Sequence, residues 1–134
     1  MDSLCETIPG PDLQSDLRCM QFSQQTFDVF VQDLFYTWCM GGTLICADRE
    51  LITGSFAKVV SYAKATHAHL TPAFGSTISR ITCPSLEVVT MIGERLPQSV
   101  ADDWGTNIKA YNTYGPAEAA VVSTVKQFLS LIHI

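Results

Sequence analysis

The chain is short of charge, and of positive charge above all. Of its 134 residues, 8 are Lys or Arg and 13 are Asp or Glu, a net charge of -5 at pH 7. Surfaces that bind nucleic acid or anionic membranes need clustered cations, so neither is expected as a partner. The sequence also lacks any apolar run near the roughly 18 residues that span a bilayer. Asp2 and Glu6 stand where a secretory signal would be basic, and Pro9-Gly10-Pro11 breaks any apolar stretch there, so a cytoplasmic location is expected. No Cys-x-x-Cys is present. The five cysteines, Cys5, Cys19, Cys39, Cys46 and Cys83, are odd in number and scattered. They read as reduced, mostly buried thiols rather than a disulfide framework or a zinc site. Also missing are G-x-x-x-x-G-K-[ST], G-x-G-x-x-G, G-x-S-x-G and H-E-x-x-H, which removes the commonest phosphate-loop, dinucleotide, hydrolase and metalloprotease readings.

What is present is apolar: 47% of residues are hydrophobic and 16% charged. That composition buries a core, which excludes general disorder. Short apolar runs recur at Cys19-Met20-Gln21-Phe22, Thr43 to Ala47, Ala68-His69-Leu70, Val88 to Ile92 and Ala110-Tyr111-Asn112. Their centres lie roughly 21–25 residues apart, the length of a strand plus a short helix. Between them the period is helical. After Thr26, a suitable N-cap, the residues Phe27, Phe30, Val31, Leu34, Phe35 and Trp38 share one helical face, expected to point inward. Gly41-Gly42 ends that helix. Ser55 is expected to cap a second, with Phe56, Val59, Val60 and Ala63 inward. A third runs from about Pro72 to Ile78, and Pro97 opens a fourth with Val100, Ala101 and Trp104 inward.

The fold class expected is therefore α/β, with alternating strand–helix units forming a mostly parallel sheet. Residues 1–16 read as an irregular lead-in and 17–128 as the body. Residues 129–134 (Leu-Ser-Leu-Ile-His-Ile) continue no pattern and look like translated sequencing adapter, so they are set aside.

His67 and His69 form an H-x-H pair on one strand face. No carboxylate or cysteine lies near them in sequence, so a buried or pocket-lining role is preferred to a metal site. The segment Tyr111 to Glu118 is more informative. Here a strand ends in Asn-x-Tyr-Gly-Pro, at the place in a parallel sheet where ligands bind. It supplies an amide (Asn112), an aromatic plane (Tyr114), close backbone approach (Gly115) and a carboxylate (Glu118). Those parts suit a flat base and a magnesium-bound phosphate; an ordinary turn with a solvated Glu is the alternative.

Asn112 to Glu118 resembles the N-x-Y-G-P-T-E motif of adenylate-forming (AMP-binding) enzymes, and more narrowly that of adenylation domains in nonribosomal peptide synthetases. Phe27-Asp28-Val29-Phe30 is similar to F-D-x-S, and Gln32 to Phe35 and Gly41-Gly42-Thr43 to its continuation. Leu70-Thr71-Pro72 and Gly93-Glu94 resemble the L-T-P and G-G-E segments. The likeness runs from about Cys19 to Phe128. It covers about a quarter of a complete adenylation domain, in the large N-terminal subdomain, and looks fungal, of the siderophore-synthetase kind.

The resemblance implies that Asp28 contacts the α-amino group of an amino acid. Val29, Gln32, His69, Thr90, Ile92, Thr113 and Val121 would line its pocket, with Val122 beside them. Tyr114 would stack on adenine near Asn112, Gly93 and Gly115, and Glu118 would hold magnesium. The implied reaction is adenylation of an amino acid by ATP, then transfer to phosphopantetheine on a carrier domain of the same synthetase, with condensation domains as further partners. Ala117 departs from the usual Thr, which puts one phosphate contact in question, and Phe30 replaces the Ser of F-D-x-S. The family's glycine-rich phosphate loop, ribose-binding Asp, hinge and C-terminal Lys are not among these residues, so the polypeptide alone is expected to be inactive. An acyl- or aryl-CoA ligase is the alternative that Asp28 disfavours. An aminoadipate-reductase type would keep Asp28. A non-catalytic α/β binding module is the alternative of another class.

Overall fold

The computed structural model describes residues 16–115 and 122–128. The expectations placed on the lead-in, on Ala117, Glu118 and Val121, and on the tail lie outside the described residues.

Five strands run parallel: β1 (Arg18–Met20), β2 (Thr43–Ile45), β3 (His67–Leu70), β4 (Val88–Ile92) and β5 (Lys109–Tyr114), in the order β2-β1-β3-β4-β5. A sixth, β6 (Thr124–Phe128), adds antiparallel to β5 at the edge and was not foreseen from sequence. The helices are α1 (Asp28–Cys39), α2 (Arg49–Ala63), α3 (Pro72–Gly75) and α4 (Gln98–Trp104).

The strand order reverses direction after β2. Parallel crossovers are right-handed, so a reversal moves the next helix to the opposite face. That leaves α1 alone on one side of the sheet, with α2, α3 and α4 on the other. Register then sorts the side chains, since alternate residues of a strand point to opposite faces. On the side of α2 and α4 lie Met20, Ala68, Leu70, Val89, Met91 and Ala110, packed with Ile52, Phe56, Val60, Val100 and Trp104. Phe22 and Phe56 both set their rings against Phe74, with centroids 4.5 and 5.4 Å away. Trp104, fully buried, donates its Nε1 proton to the Gly75 carbonyl at 3.0 Å. On the side of α1 the rows are Cys19–His67–Val88, His69–Thr90–Tyr111 and Ile92–Thr113.

Helix α1 corrects one expectation. The helix forms where its period places it, and Gly41, at φ +66, ends it as expected. Its apolar arc, however, points outward: Phe27, Val31, Phe35 and Trp38 are exposed, Trp38 to 60%. The side laid on the sheet is Gln32, Asp33, Tyr36 and Thr37, all buried. The reason is complementarity, because the strand rows beneath α1 carry histidine and threonine, which need hydrogen-bonding partners. Nor does Thr26 cap the helix. Phe27 takes the N-cap position without a side-chain bond, and the Asp28 carboxylate accepts the Val29 N–H at 2.9 Å.

Two smaller differences follow from the backbone. α2 starts at Arg49, earlier than expected, and the non-helical Ser55 (φ -144, ψ 33) divides it into two pieces, the second beginning near the expected start, with Phe56 and Val60 buried. α3 ends at Gly75 rather than Ile78, and Thr71 caps it, its Oγ1 accepting the Phe74 N–H at 3.2 Å. Of the four described cysteines, Cys19 and Cys83 are buried, but Cys39 and Cys46 are exposed; all four are free thiols.

Candidate functional site

A cavity of about 370 Å³ opens where four parallel strands end. Phe22 follows β1, Leu70 and Thr71 close β3, Ile92, Gly93 and Glu94 leave β4, and Gly115 follows β5. Asp28 and Val29, in the first turn of α1, form its other wall with Phe27. This is the point where the strand order reverses, the position at which open parallel sheets bind ligands. The first turn of a helix favours a carboxylate, and the Asp28 carboxylate accepts the Val29 N–H at the cavity wall. Gly93 has φ +92, a conformation that favours glycine, and an added Cβ would meet nothing within 4 Å. The backbone there is bare toward open space, as a ligand that approaches the main chain requires.

Five of the residues singled out from sequence thus meet at one cavity: Asp28, Val29, Ile92, Gly93 and Gly115. Tyr114 stands at the end of β5, 68% exposed. Asn112 is half-buried in the register row of Met91, on the face away from α1. Gln32, His69, Thr90 and Thr113 do not line the cavity. They are buried in the next layer, one turn along α1 from Asp28 or one register row back from the strand ends. Arg49 lines the cavity and was missed. Its Nη1 donates to the Phe22 carbonyl at 2.5 Å and its guanidinium lies 4.9 Å from the Phe22 ring centroid. No local motif marks it.

The buried layer is polar and incompletely satisfied. His69 Nδ1 lies 2.5 Å from Asp33 Oδ1, and both side chains are buried. Cys19 completes a trio with them, with candidate donor atoms within 4.8 Å of one another. So a carboxylate and a cysteine do approach the H-x-H pair, across the fold and not along the sequence. Burial alone would lower the His69 pKa, but Asp33, by charge and hydrogen bond and with help from Cys19, raises it to about 10. Burial pushes the Asp33 carboxyl upward, against the pull of His69 and a backbone hydrogen bond from Phe22. The pair is tightly coupled and titrates as a unit, with Asp33 favouring the charged imidazole. His67 behaves oppositely. Burial, then the charges of His69 and Lys109, lower it to about 4, and its Nδ1 pairs with Thr66 Oγ1 at 2.8 Å. Both amide atoms of Gln32 and the Thr90 hydroxyl are buried without a partner among the described residues.

The sequence profile of AMP-binding enzymes matches residues 2–131. The chain belongs to that family, and its sheet is that of the N-terminal subdomain of adenylate-forming enzymes. It is 60% identical over 126 residues to the nonribosomal peptide synthetase sidC of Aspergillus fumigatus and 51% identical over 127 residues to the siderophore peptide synthetase fer3 of Mycosarcoma maydis. Those alignments cover 94% and 86% of this chain, and the chain spans 3% of either relative. Among solved structures, the Vibrio cholerae adenylation domain AlmE, in complex with glycyl-adenosine-5'-phosphate, superposes with a TM-score of 0.77 at 26% identity. That match covers 89% of this chain and 24% of AlmE. The N-terminal subdomain of Klebsiella oxytoca NpsA shares the fold, with a TM-score of 0.73 at 14% identity over 89% of this chain and 32% of that one. No helix among the described residues is long and apolar enough to cross a membrane.

Proposed function

We propose that this chain is part of an adenylation domain of a fungal siderophore-type peptide synthetase, and that its cavity receives an amino acid and ATP. One observation carries the reading. The Asp28 carboxylate stands at the cavity wall with one oxygen bonded to Val29, among strand ends whose backbone is bare at Gly93. An α-ammonium group needs a carboxylate partner, whereas a plain acyl or aryl acid gives no reason for an anion there. In the reaction, a carboxylate oxygen of the amino acid attacks the α-phosphorus of ATP and pyrophosphate leaves. A phosphopantetheine thiol on a carrier domain then displaces AMP from the carbonyl.

Within this scheme the Tyr114 ring, exposed at the end of β5, stacks on adenine. Gly93 and Gly115 let the backbone come close to the nucleotide, and Asn112 supports the base. Glu118 would hold magnesium in this scheme. Bound magnesium supplies charge neutralisation at the phosphates. Gln32, His69, Thr90 and Thr113 shape the side-chain pocket with Val29, Ile92 and Val121. Among the described residues, Gln32 has no partner for its donor or its acceptor and Thr90 none for its hydroxyl. Leaving such groups unpaired costs about 1–3 kcal/mol each, which a hydrogen-bonding substrate recovers. His69 and Asp33 neutralise each other, so the pocket fits an amino acid whose side chain is polar and uncharged.

The test is amino-acid-dependent pyrophosphate exchange by the complete adenylation domain. Exchange with one or a few polar amino acids is expected, and Asp28→Ala should abolish it for all of them. Full activity of Asp28→Ala, or exchange driven by an acid without an amino group, would overturn the reading.

A further inference from the structure

We propose that Asp33 is a positioning residue of the specificity pocket, fixing the orientation of the His69 ring. The inference rests on the reading that this cavity takes an amino acid. Asp33 lines no part of the cavity, and the resemblance assigns it no role within the Gln32 to Phe35 segment. Its carboxylate comes from α1, 36 residues before His69, and meets Nδ1 at 2.5 Å. An imidazole ring can flip, exchanging nitrogen for carbon along its edge; a buried carboxylate at Nδ1 leaves one orientation, with Nε2 on the far side.

The surroundings tighten the hold. Tyr36, one turn further along α1, sets its ring edge-on to His69 with centroids 6.1 Å apart. Cys19 approaches from β1. Among the described residues, these, with Asp33 and with His67 on the same strand, are the titratable groups that face the ring. Beside it sits Thr90, its register partner on β4, and next to Asp33 in the chain sits Gln32, both with unmet polar atoms. A polar substrate side chain reaching that layer meets three groups at once. Gln32 and Thr90 can rotate to suit it. Only the imidazole can present the wrong atom, and Asp33 removes that freedom.

The experiment compares Asp33→Asn, His69→Asn and the double variant in the complete adenylation domain. Asparagine keeps the shape and removes the charge, and its amide can turn either an acceptor or a donor to Nδ1, so the ring is no longer held to one orientation. For Asp33→Asn, an amino-acid KM about tenfold higher is expected, with kcat and the KM for ATP within about twofold of wild type. In the His69→Asn background the same change should add less than twofold. An unchanged amino-acid KM, an equal rise in the double variant, or a parallel rise in the KM for ATP would each overturn the proposal. Nitrogen-15 NMR of the unmutated domain decides without a variant, should Asp33→Asn not fold. His69 should show a protonated Nδ1 and no titration between pH 6 and 8.5, and a midpoint near 6.5 refutes the assignment. A domain that exchanges pyrophosphate with no amino acid refutes the proposed function, while the NMR signal still decides the role of Asp33.

Discussion

Met91 and Thr90 are neighbours on β4, yet they enter opposite environments. Met91 belongs to the buried apolar cluster that holds Leu70, Trp104 and Ala110. Thr90 faces a layer of His69, Asp33 and Gln32 in which several polar atoms have no partner among the described residues. Each large side chain of the apolar layer contributes about 1.5–3 kcal/mol by leaving water. Each unmet group of the polar layer costs about 1–3 kcal/mol. One face of the sheet therefore holds the fold together, and the other is kept at its expense, as binding sites commonly are. The rows alternate residue by residue, so the two roles are separated by no more than the pleat of a strand.

The division can be broken at four points. Trp104→Ala should be the most damaging. It removes a fully buried ring and its bond to Gly75, at a cost of about 3–5 kcal/mol in urea unfolding of this chain. A loss below 1 kcal/mol would mean the apolar layer is not the source of stability.

Acid should come next. His67 is lowered in the folded state to about 4 from 6.5, so the unfolded chain takes up the proton first. Its contribution is present above pH 6.5 and is lost as pH falls toward 4, by about 3 kcal/mol. His67→Leu should flatten the stability profile in that window. An identical profile would show that His67 is not held neutral. His69 has the opposite sign, and its stabilisation persists at low pH and fades as pH rises toward 10.

Gln32→Leu should raise stability by about 1–2 kcal/mol, since an unpaired buried amide is replaced by an apolar group of similar size. The same change should raise the amino-acid KM of the complete domain. A destabilised variant would mean that Gln32 is satisfied. Smallest of all, Trp38→Ser on the outward arc should move the unfolding midpoint of this chain by less than about 0.5 kcal/mol. A larger loss would show that Trp38 is packed.

Much of this architecture could be read from the residues. The five parallel strands follow from spacing, and Gly41 ends α1 because its φ of +66 suits glycine. Asp28, Val29, Ile92, Gly93 and Gly115 met at one cavity because strand ends and helix starts converge there. The direction of the α1 arc was not legible. Periodicity fixes which residues share a side, not what lies opposite, and the sheet beneath α1 is polar through His67, His69 and Thr90. Asp33 was hidden for a related reason, since its partner is 36 residues away. β6 carries Lys126 and Gln127 in place of a clean alternation, and only its ladder with β5 reveals it.

The inverted α1 also bears on motion. A helix seated on an apolar surface leaves a dry void when it shifts, and the void resists the shift. One seated on histidine, threonine and carboxylate groups can admit water as it lifts, so its opening is cheap. The backbone amides of α1 should exchange with deuterium sooner than those of α2 and α4. The wall that carries Asp28 would then be the compliant side of the cavity, and the four strand ends its rigid one.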